Sequence, residues 1–118
     1  LYGYDYEIIR SSKDLTNEIE VMITNAEIPY KRGLHWTTDA GYRETWGQVM
    51  DYRDKGALCV EMEGVGLFTI ANYRKCVATG IYVVSDVYSE NDWKLGWEGN
   101  DIKRAVGVVI DMIIESIR

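Results

Sequence analysis

This sequence has a single proline and no paired cysteines, excess of positive charge or long hydrophobic runs. Its 118 residues carry 19 acids against 13 lysines and arginines, a formal net charge of −6. A chain of that sign with no basic patch repels a phosphate backbone, so nucleic acid is disfavoured as a partner. A local pair of cations still leaves room for a small phosphate-bearing substrate. Cysteine occurs twice, at Cys59 and Cys76, in or beside apolar runs. Such residues read as buried free thiols of a reducing compartment rather than as a disulfide framework or a catalytic thiol. No stretch approaches the ~20 apolar residues of a bilayer span and no signal peptide is visible, so a cytoplasmic protein is expected. The single histidine, His35, reads as a packed strand residue, and without a second His no metal site is expected. There is no Gly-x-Ser-x-Gly elbow, and Gly64-Val65-Gly66 lacks the third glycine of a dinucleotide loop. Proline appears only at Pro29, and no linker interrupts the chain, so residues 1–118 are expected to form one domain.

What is present alternates. Tyr4 to Arg10 has the period of a half-exposed strand. Ser11 and Ser12 are helix caps, with Asp14 suited to the first turn. Leu15, Ile19, Met22, Ile23 and Ala26 recur at helical spacing up to a stop before Pro29. Lys31 to Thr38 reads as a strand entering a loop, and Arg43 to Asp54 as a second helix with Trp46, Val49, Met50 and Arg53 on one side. Gly56 follows as its terminator. Ala57 to Met62 is an apolar strand, and about Glu63 to Arg74 a third helix with Leu67, Ile70 and Ala71 inward. Ala78 to Val84 is a further strand and Val87 to Gly99 a long loop. A last helix runs from Ile102 to Ile117, capped by Asn100 or Asp101. The order β-α-β-α-β-α-β-α implies an α/β domain with a mostly parallel sheet flanked by helices.

The chemistry gathers where two of these strands end. Ala57 to Met62 finishes in Glu61-Met62-Glu63, and Ala78 to Val84 runs into Ser85-Asp86. Acids at the carboxyl ends of parallel strands lie where α/β sheets bind ligands. If the strand geometry persists, Glu61 and Glu63 share one side and Met62 takes the other. Two such carboxylates accept hydrogen bonds from a vicinal diol and stabilise a cationic sugar. Their plain structural role would be to begin the third helix at its positive end. Asp86, behind a hydrophobic run, is partly desolvated, which suits a general acid; its plain role would be a cap. Arg32 and Arg43 flank His35-Trp36-Thr37-Thr38-Asp39 and are candidates for approaching an anion.

Val60-Glu61-Met62-Glu63-Gly64, followed by a helix and Val83-Val84-Ser85-Asp86, resembles the C-terminal half of the nucleoside phosphorylase / nucleosidase superfamily. Gly33-Leu34-His35-Trp36-Thr37-Thr38-Asp39 with Tyr42-Arg43-Glu44 is similar to the base-site segment of the same family. The resemblance covers about residues 30–118. It implies a partial three-layer α/β/α domain in which Met62 lies against the ribose, Glu63 holds its hydroxyls and Glu61 is close by. Asp86 would protonate the purine N7 as the glycosidic bond breaks. Thr38, Tyr42, Arg43 and Ser85 would complete the substrate contacts. No cofactor or metal is implied, phosphate being a co-substrate, and the partner is a small-molecule nucleoside in a homo-oligomer.

The pattern departs from the family's at three places. Gly41 stands where an aromatic residue often faces the base, leaving Tyr42 or Trp36 for that place. No arginine lies between Asp86 and Arg104 to pair with the acid, and Lys94 is a weak substitute. The glycine-rich loop and arginines that hold phosphate in the family's N-terminal half have no counterpart here. The resemblance therefore implies a pentosyl-transferring enzyme whose C-terminal part this is. The alternatives are an inactive nucleoside-binding or assembly fragment, a uridine phosphorylase, or a hydrolytic nucleosidase. An unrelated flavodoxin-like domain would need a phosphate loop after the first strand, and Arg10-Ser11-Ser12-Lys13 is a poor match for one.

Overall fold

The computed structural model describes residues 8–90 and 99–118, with the backbone of 92–95. The first helix, α1 (Lys13–Asn25), starts where a serine can satisfy an orphan amide: Ser12 Oγ accepts the Leu15 N–H at 3.3 Å, with Asp14 in the first turn. Leu15, Ile19 and Met22 are half-buried and Ile23 is buried, while Ala26 is exposed just beyond the last turn. Past the helix the chain folds back on α1. Arg32 pairs with Glu20 at 2.5 Å and donates to Asn17 at 2.8 Å, and the Tyr30 hydroxyl donates to Glu20 at 2.8 Å.

Strand β1 (Leu34–Thr37) and strand β2 (Ala57–Glu61) form a parallel pair, with His35 opposite Cys59, Trp36 opposite Val60 and Thr37 opposite Glu61. A parallel pair needs a crossover, here a short 3-10 turn (Gly41–Arg43) followed by α2 (Trp46–Asp54). A capping box opens α2: the Gln48 N–H donates to Thr45 Oγ1 and the Thr45 N–H to Gln48 Oε1, each at 3.2 Å. Gly56 leaves the helix at φ 93°, where a side chain would be strained. The inward face of α2 is set by Val49, Met50 and Tyr52, not by Trp46 or Arg53, both of which are exposed. Tyr52 stacks on Trp36 of β1 with ring centroids 4.2 Å apart.

Helix α3 (Gly64–Arg74) is apolar nearly all round, so its pattern leaves the inward face ambiguous. The buried residues are Gly64, Phe68 and Ala71, spaced by four and three, whereas Leu67 and Ile70 are at least half exposed. Only Ala71 of the three expected inward positions is buried. Ala78 to Val84 is neither helix nor strand and forms no ladder among the described residues. It is tied at its start, where the Ser12 N–H donates to Ala78 O at 2.7 Å and Thr16 Oγ1 meets Thr79 Oγ1 at 2.7 Å. The stretch expected as a loop contains an antiparallel pair, β3 (Asp86–Ser89) and β4 (Asp92–Leu95), with Asp86 opposite Leu95. The final helix, α4 (Asn100–Ile117), follows Gly99, which supplies no side-chain cap. Its Ile102, Ala105, Val109, Met112 and Ile113 are half-buried, and Val106, Val108, Ile110, Ile114 and Ile117 face outward. Ile8 to Arg10 is not a strand, and the rest of the expected first strand, Tyr4 to Glu7, lies outside the described residues, as do Trp97 and the side chain of Lys94.

Among the described residues the buried apolar ones are Phe68 (4% exposed), Ala40, Ile23 and Ala71, a small core in which Phe68 is the largest member. Removing its ring should cost about 3–5 kcal/mol, against at most about 1 kcal/mol for Leu67→Ala on the outward side of the same helix. Urea unfolding of Phe68→Ala and Leu67→Ala checks the assignment, and equal losses would reverse it.

Candidate functional site

Strands β1 and β2 end side by side. Thr37 faces Glu61 in the ladder, and the Thr38 N–H donates to Glu61 O at 2.8 Å, one step beyond it. Their shared carboxyl edge carries Glu61 and Glu63, whereas Asp86, expected at the end of a further parallel strand, opens β3 of the separate antiparallel pair. His35 and Thr37, two residues apart, lie on one face of β1, and both reach the Glu61 side chain across the pair. The Glu61 carboxylate is 8% exposed. Its Oε1 accepts from His35 Nδ1 at 2.9 Å, with the proton on that nitrogen, and from the Thr37 hydroxyl. Its Oε2 accepts the backbone N–H of Glu63 at 2.7 Å and of Gly64 at 2.5 Å. Burial pushes the Glu61 carboxyl up, but the hydrogen bonds from Thr37, Gly64, Glu63 and His35 outweigh it and hold the group below the usual value.

Two residues carry the chain from β2 into α3, and both face outward. Met62 is 54% exposed, and Glu63 is exposed with Oε2 accepting the Met62 N–H at 3.2 Å. Next to them the His35 ring packs edge-on to Phe68 (5.8 Å) and against Tyr82 (5.0 Å). Burial first, then the charges of Glu61, Cys59 and Glu63, push the Tyr82 hydroxyl up to about 12. Tyr82 therefore registers both carboxylates of the Glu-Met-Glu stretch. Cys59 is half-buried and its thiol is pushed up by burial and then by Glu61, as suits an inert thiol. Cys76 is exposed, not buried as its apolar neighbours suggested.

A second grouping forms around Asp86. The Ser85 hydroxyl donates to Asp86 Oδ2 at 2.5 Å, and the Tyr88 hydroxyl donates to Glu44 Oε2 at 2.5 Å. Burial, the Glu44 hydrogen bond and the charges of Glu44 and Asp86 push Tyr88 up to about 12. Asp86, Tyr88 and Glu44 thus share one electrostatic neighbourhood. The segment from Thr38 to Glu44 connects the two groupings along the chain. Thr38 is half-buried with Oγ1 accepting the Ala40 N–H at 3.4 Å, and Tyr42 is 88% exposed with the Arg43 guanidinium 5.9 Å from its ring. Of the two aromatics considered for the base, Trp36 has a face occupied by Tyr52, and Tyr42 is open. Of the two arginines considered for an anion, Arg32 is committed to Glu20 and Asn17.

Sequence reasoning did not single out Thr37, Glu44, Tyr82 or Tyr88. A signal existed for two of them: Thr37 is two residues after His35 and Tyr88 two after Asp86, the same-face spacing of a strand. Among the described residues no group of three or more His, Cys, Asp or Glu is arranged to hold a metal ion. No described helix is long and apolar enough to cross a membrane.

A family model described as the phosphorylase superfamily matches residues 4–115. A purine nucleoside phosphorylase DeoD-type from an Exiguobacterium species is 34% identical over 84 residues, 71% of this chain and 35% of that protein. Its counterpart from Exiguobacterium sibiricum is 33% identical over 84 residues, with the same coverage. The chain therefore spans 35% of the length of the curated relatives it matches. No solved structure matches it.

The raised tyrosines give a pH signature. A hydroxyl held neutral by the fold contributes its full stability below its ordinary value of 10.0, and that contribution is lost as pH rises from there toward about 12. Near-ultraviolet titration should lose an ionisation at about 12 in Tyr82→Phe and another in Tyr88→Phe. Glu44→Gln should bring Tyr88 down and leave Tyr82 in place. Ionisation of Tyr88 near its ordinary value in the unaltered protein would contradict the burial and charge described for it.

Proposed function

The chain belongs to the phosphorylase superfamily, and from that premise we propose that it forms the ribose and base side of a site that cleaves the N-glycosidic bond of a purine nucleoside. The products are the free base and, with phosphate as co-substrate, ribose 1-phosphate. The observation that carries the reading is the outward presentation of Met62 and Glu63 at the end of β2, on a junction fixed by hydrogen bonds. Glu63 accepts from the ribose hydroxyls, and Met62 lies against the sugar. Asp86, oriented by the Ser85 hydroxyl, gives its proton to N7 of the leaving purine. Thr38, Tyr42 and Arg43 line the base side, with the open Tyr42 ring the better placed of the two aromatics.

The physical logic is charge. Breaking the bond leaves an oxocarbenium-like sugar and an electron-rich base. A carboxylate beside the sugar lowers the barrier from one end, and a proton on the base lowers it from the other. The names of both matched relatives are purine-directed, which supports purine over uridine. The reading carries with it a cytoplasmic place in purine salvage and a homo-oligomer. The outward apolar residues of α4 are consistent with contact to a second copy.

Binding is read by calorimetry on this chain. Cleavage of inosine, adenosine and uridine, with and without phosphate, is read in a chimera that joins the chain to the N-terminal part of a matched relative. Asp86→Asn should slow inosine cleavage about 10²–10⁴-fold, the usual contribution of a general acid, and slow uridine cleavage far less. Glu63→Ala should weaken inosine binding. If both variants bind and cleave like the parent, the nucleoside reading is wrong.

A further inference from the structure

Glu61 differs from the carboxylates around it because its oxygens are already taken. A carboxylate offers about four lone-pair positions. Four donors reach this one: the Thr37 hydroxyl, His35 Nδ1 and the N–H groups of Glu63 and Gly64. At 8% side-chain exposure it presents little surface to an incoming hydroxyl. What it does hold is the backbone that carries Met62 and Glu63. Glu63 is the N-cap of α3 and makes no side-chain cap of its own, which would leave the first amides of the helix orphaned. Glu61 Oε2 takes the N–H groups of Glu63 and Gly64. Thr37 Oγ1, which donates to Glu61, accepts the Val65 N–H at 3.1 Å. One strand end and its neighbour thus cap a helix that does not cap itself.

We propose that Glu61 is a positioning residue: with Thr37 it fixes the strand-to-helix turn that presents Met62 and Glu63, and it contacts no substrate. The part of this that concerns ligand rests on the reading that Glu63 binds the ribose hydroxyls. Gln at position 61 keeps the volume but replaces one acceptor oxygen by an NH2 group that cannot accept. Thr37→Val removes the hydroxyl, and Thr37→Ser keeps it.

The test has two arms. Amide exchange, followed by NMR without ligand, should quicken about tenfold or more at Glu63 and Gly64 in Glu61→Gln and Glu61→Ala, the scale of a lost cap. Thr37→Val should do the same at Val65 and Thr37→Ser should not, while Glu63→Ala leaves the Gly64 and Val65 amides at parent rates. In the second arm inosine affinity is measured for Glu61→Gln, Glu63→Ala and the double variant. Each single change weakens binding, and the double variant binds no more weakly than Glu63→Ala, because nothing is left to position. Parent exchange rates in the Glu61 variants overturn the proposal, and so do losses that multiply in the double variant, which would mark direct contact. If Glu63→Ala binds inosine as tightly as the parent, the nucleoside reading fails, and the exchange arm still decides whether Glu61 holds the turn. Should Glu61→Ala not fold, Glu61→Gln and the two Thr37 variants carry the same decision.

Discussion

A buried carboxylate must be hydrogen-bonded or it is expelled, and at the junction of β2 and α3 that requirement ties three elements together. Glu61 satisfies it with donors from β1, from its own turn and from the first residue of α3. The register of the parallel pair, which sets Thr37 opposite Glu61, is what brings the first donors within reach. A slip of one residue would turn His35 and Thr37 to the other face and take away two of the four donors. The start of α3 depends on the same arrangement. Gly64 belongs to it as well, since a Cβ there would lie 2.5 Å from His35 Cε1 and 2.7 Å from Glu61 Oε1. Any larger residue would require both side chains to shift.

Local signals were legible wherever the physics is local. Ser12 caps α1 as read, and β2 begins at Ala57 and stops one residue short of the end expected for it. Gly56 takes the positive φ that its place after α2 called for. Signals that depend on distant neighbours were not legible. Ala78 to Val84 has the composition of a buried strand, but a strand is completed by a partner, and no ladder forms on it among the described residues. In α3 an apolar residue at nearly every position left the inward face to be chosen by the sheet, which took Phe68 over Leu67 and Ile70. The β3–β4 pair shows the opposite error. Asp86-Val87-Tyr88-Ser89 and Asp92-Trp93-Lys94-Leu95 flank a polar Glu90-Asn91 connection, a hairpin pattern that was read as a loop because the stretch is polar overall.

The same division applies to the site. The acids were visible because charge at the end of an apolar run is conspicuous in one dimension. Their partners were not, because cross-strand neighbours are 24 to 26 residues away in the chain and become neighbours only once the register is fixed. Tyr82 looked like an ordinary member of an apolar strand, and Tyr88 like a loop residue. What raises them is their surroundings, partial burial and two carboxylates each.

The clustering of acids has an implication for what can enter. Glu61 and Glu63 act together on Tyr82, and Glu44 and Asp86 act together on Tyr88, with the Thr38–Glu44 segment joining the two places. Such an edge is a filter for charge. On the nucleoside reading proposed above it would admit the neutral substrate and favour the sugar once it turns cationic, while it opposes the approach of a dianion such as phosphate. An anionic co-substrate would have to arrive with its repulsion screened by salt or cancelled by cations on its far side. Rising ionic strength would then speed its entry even as it weakened the hold on the sugar cation.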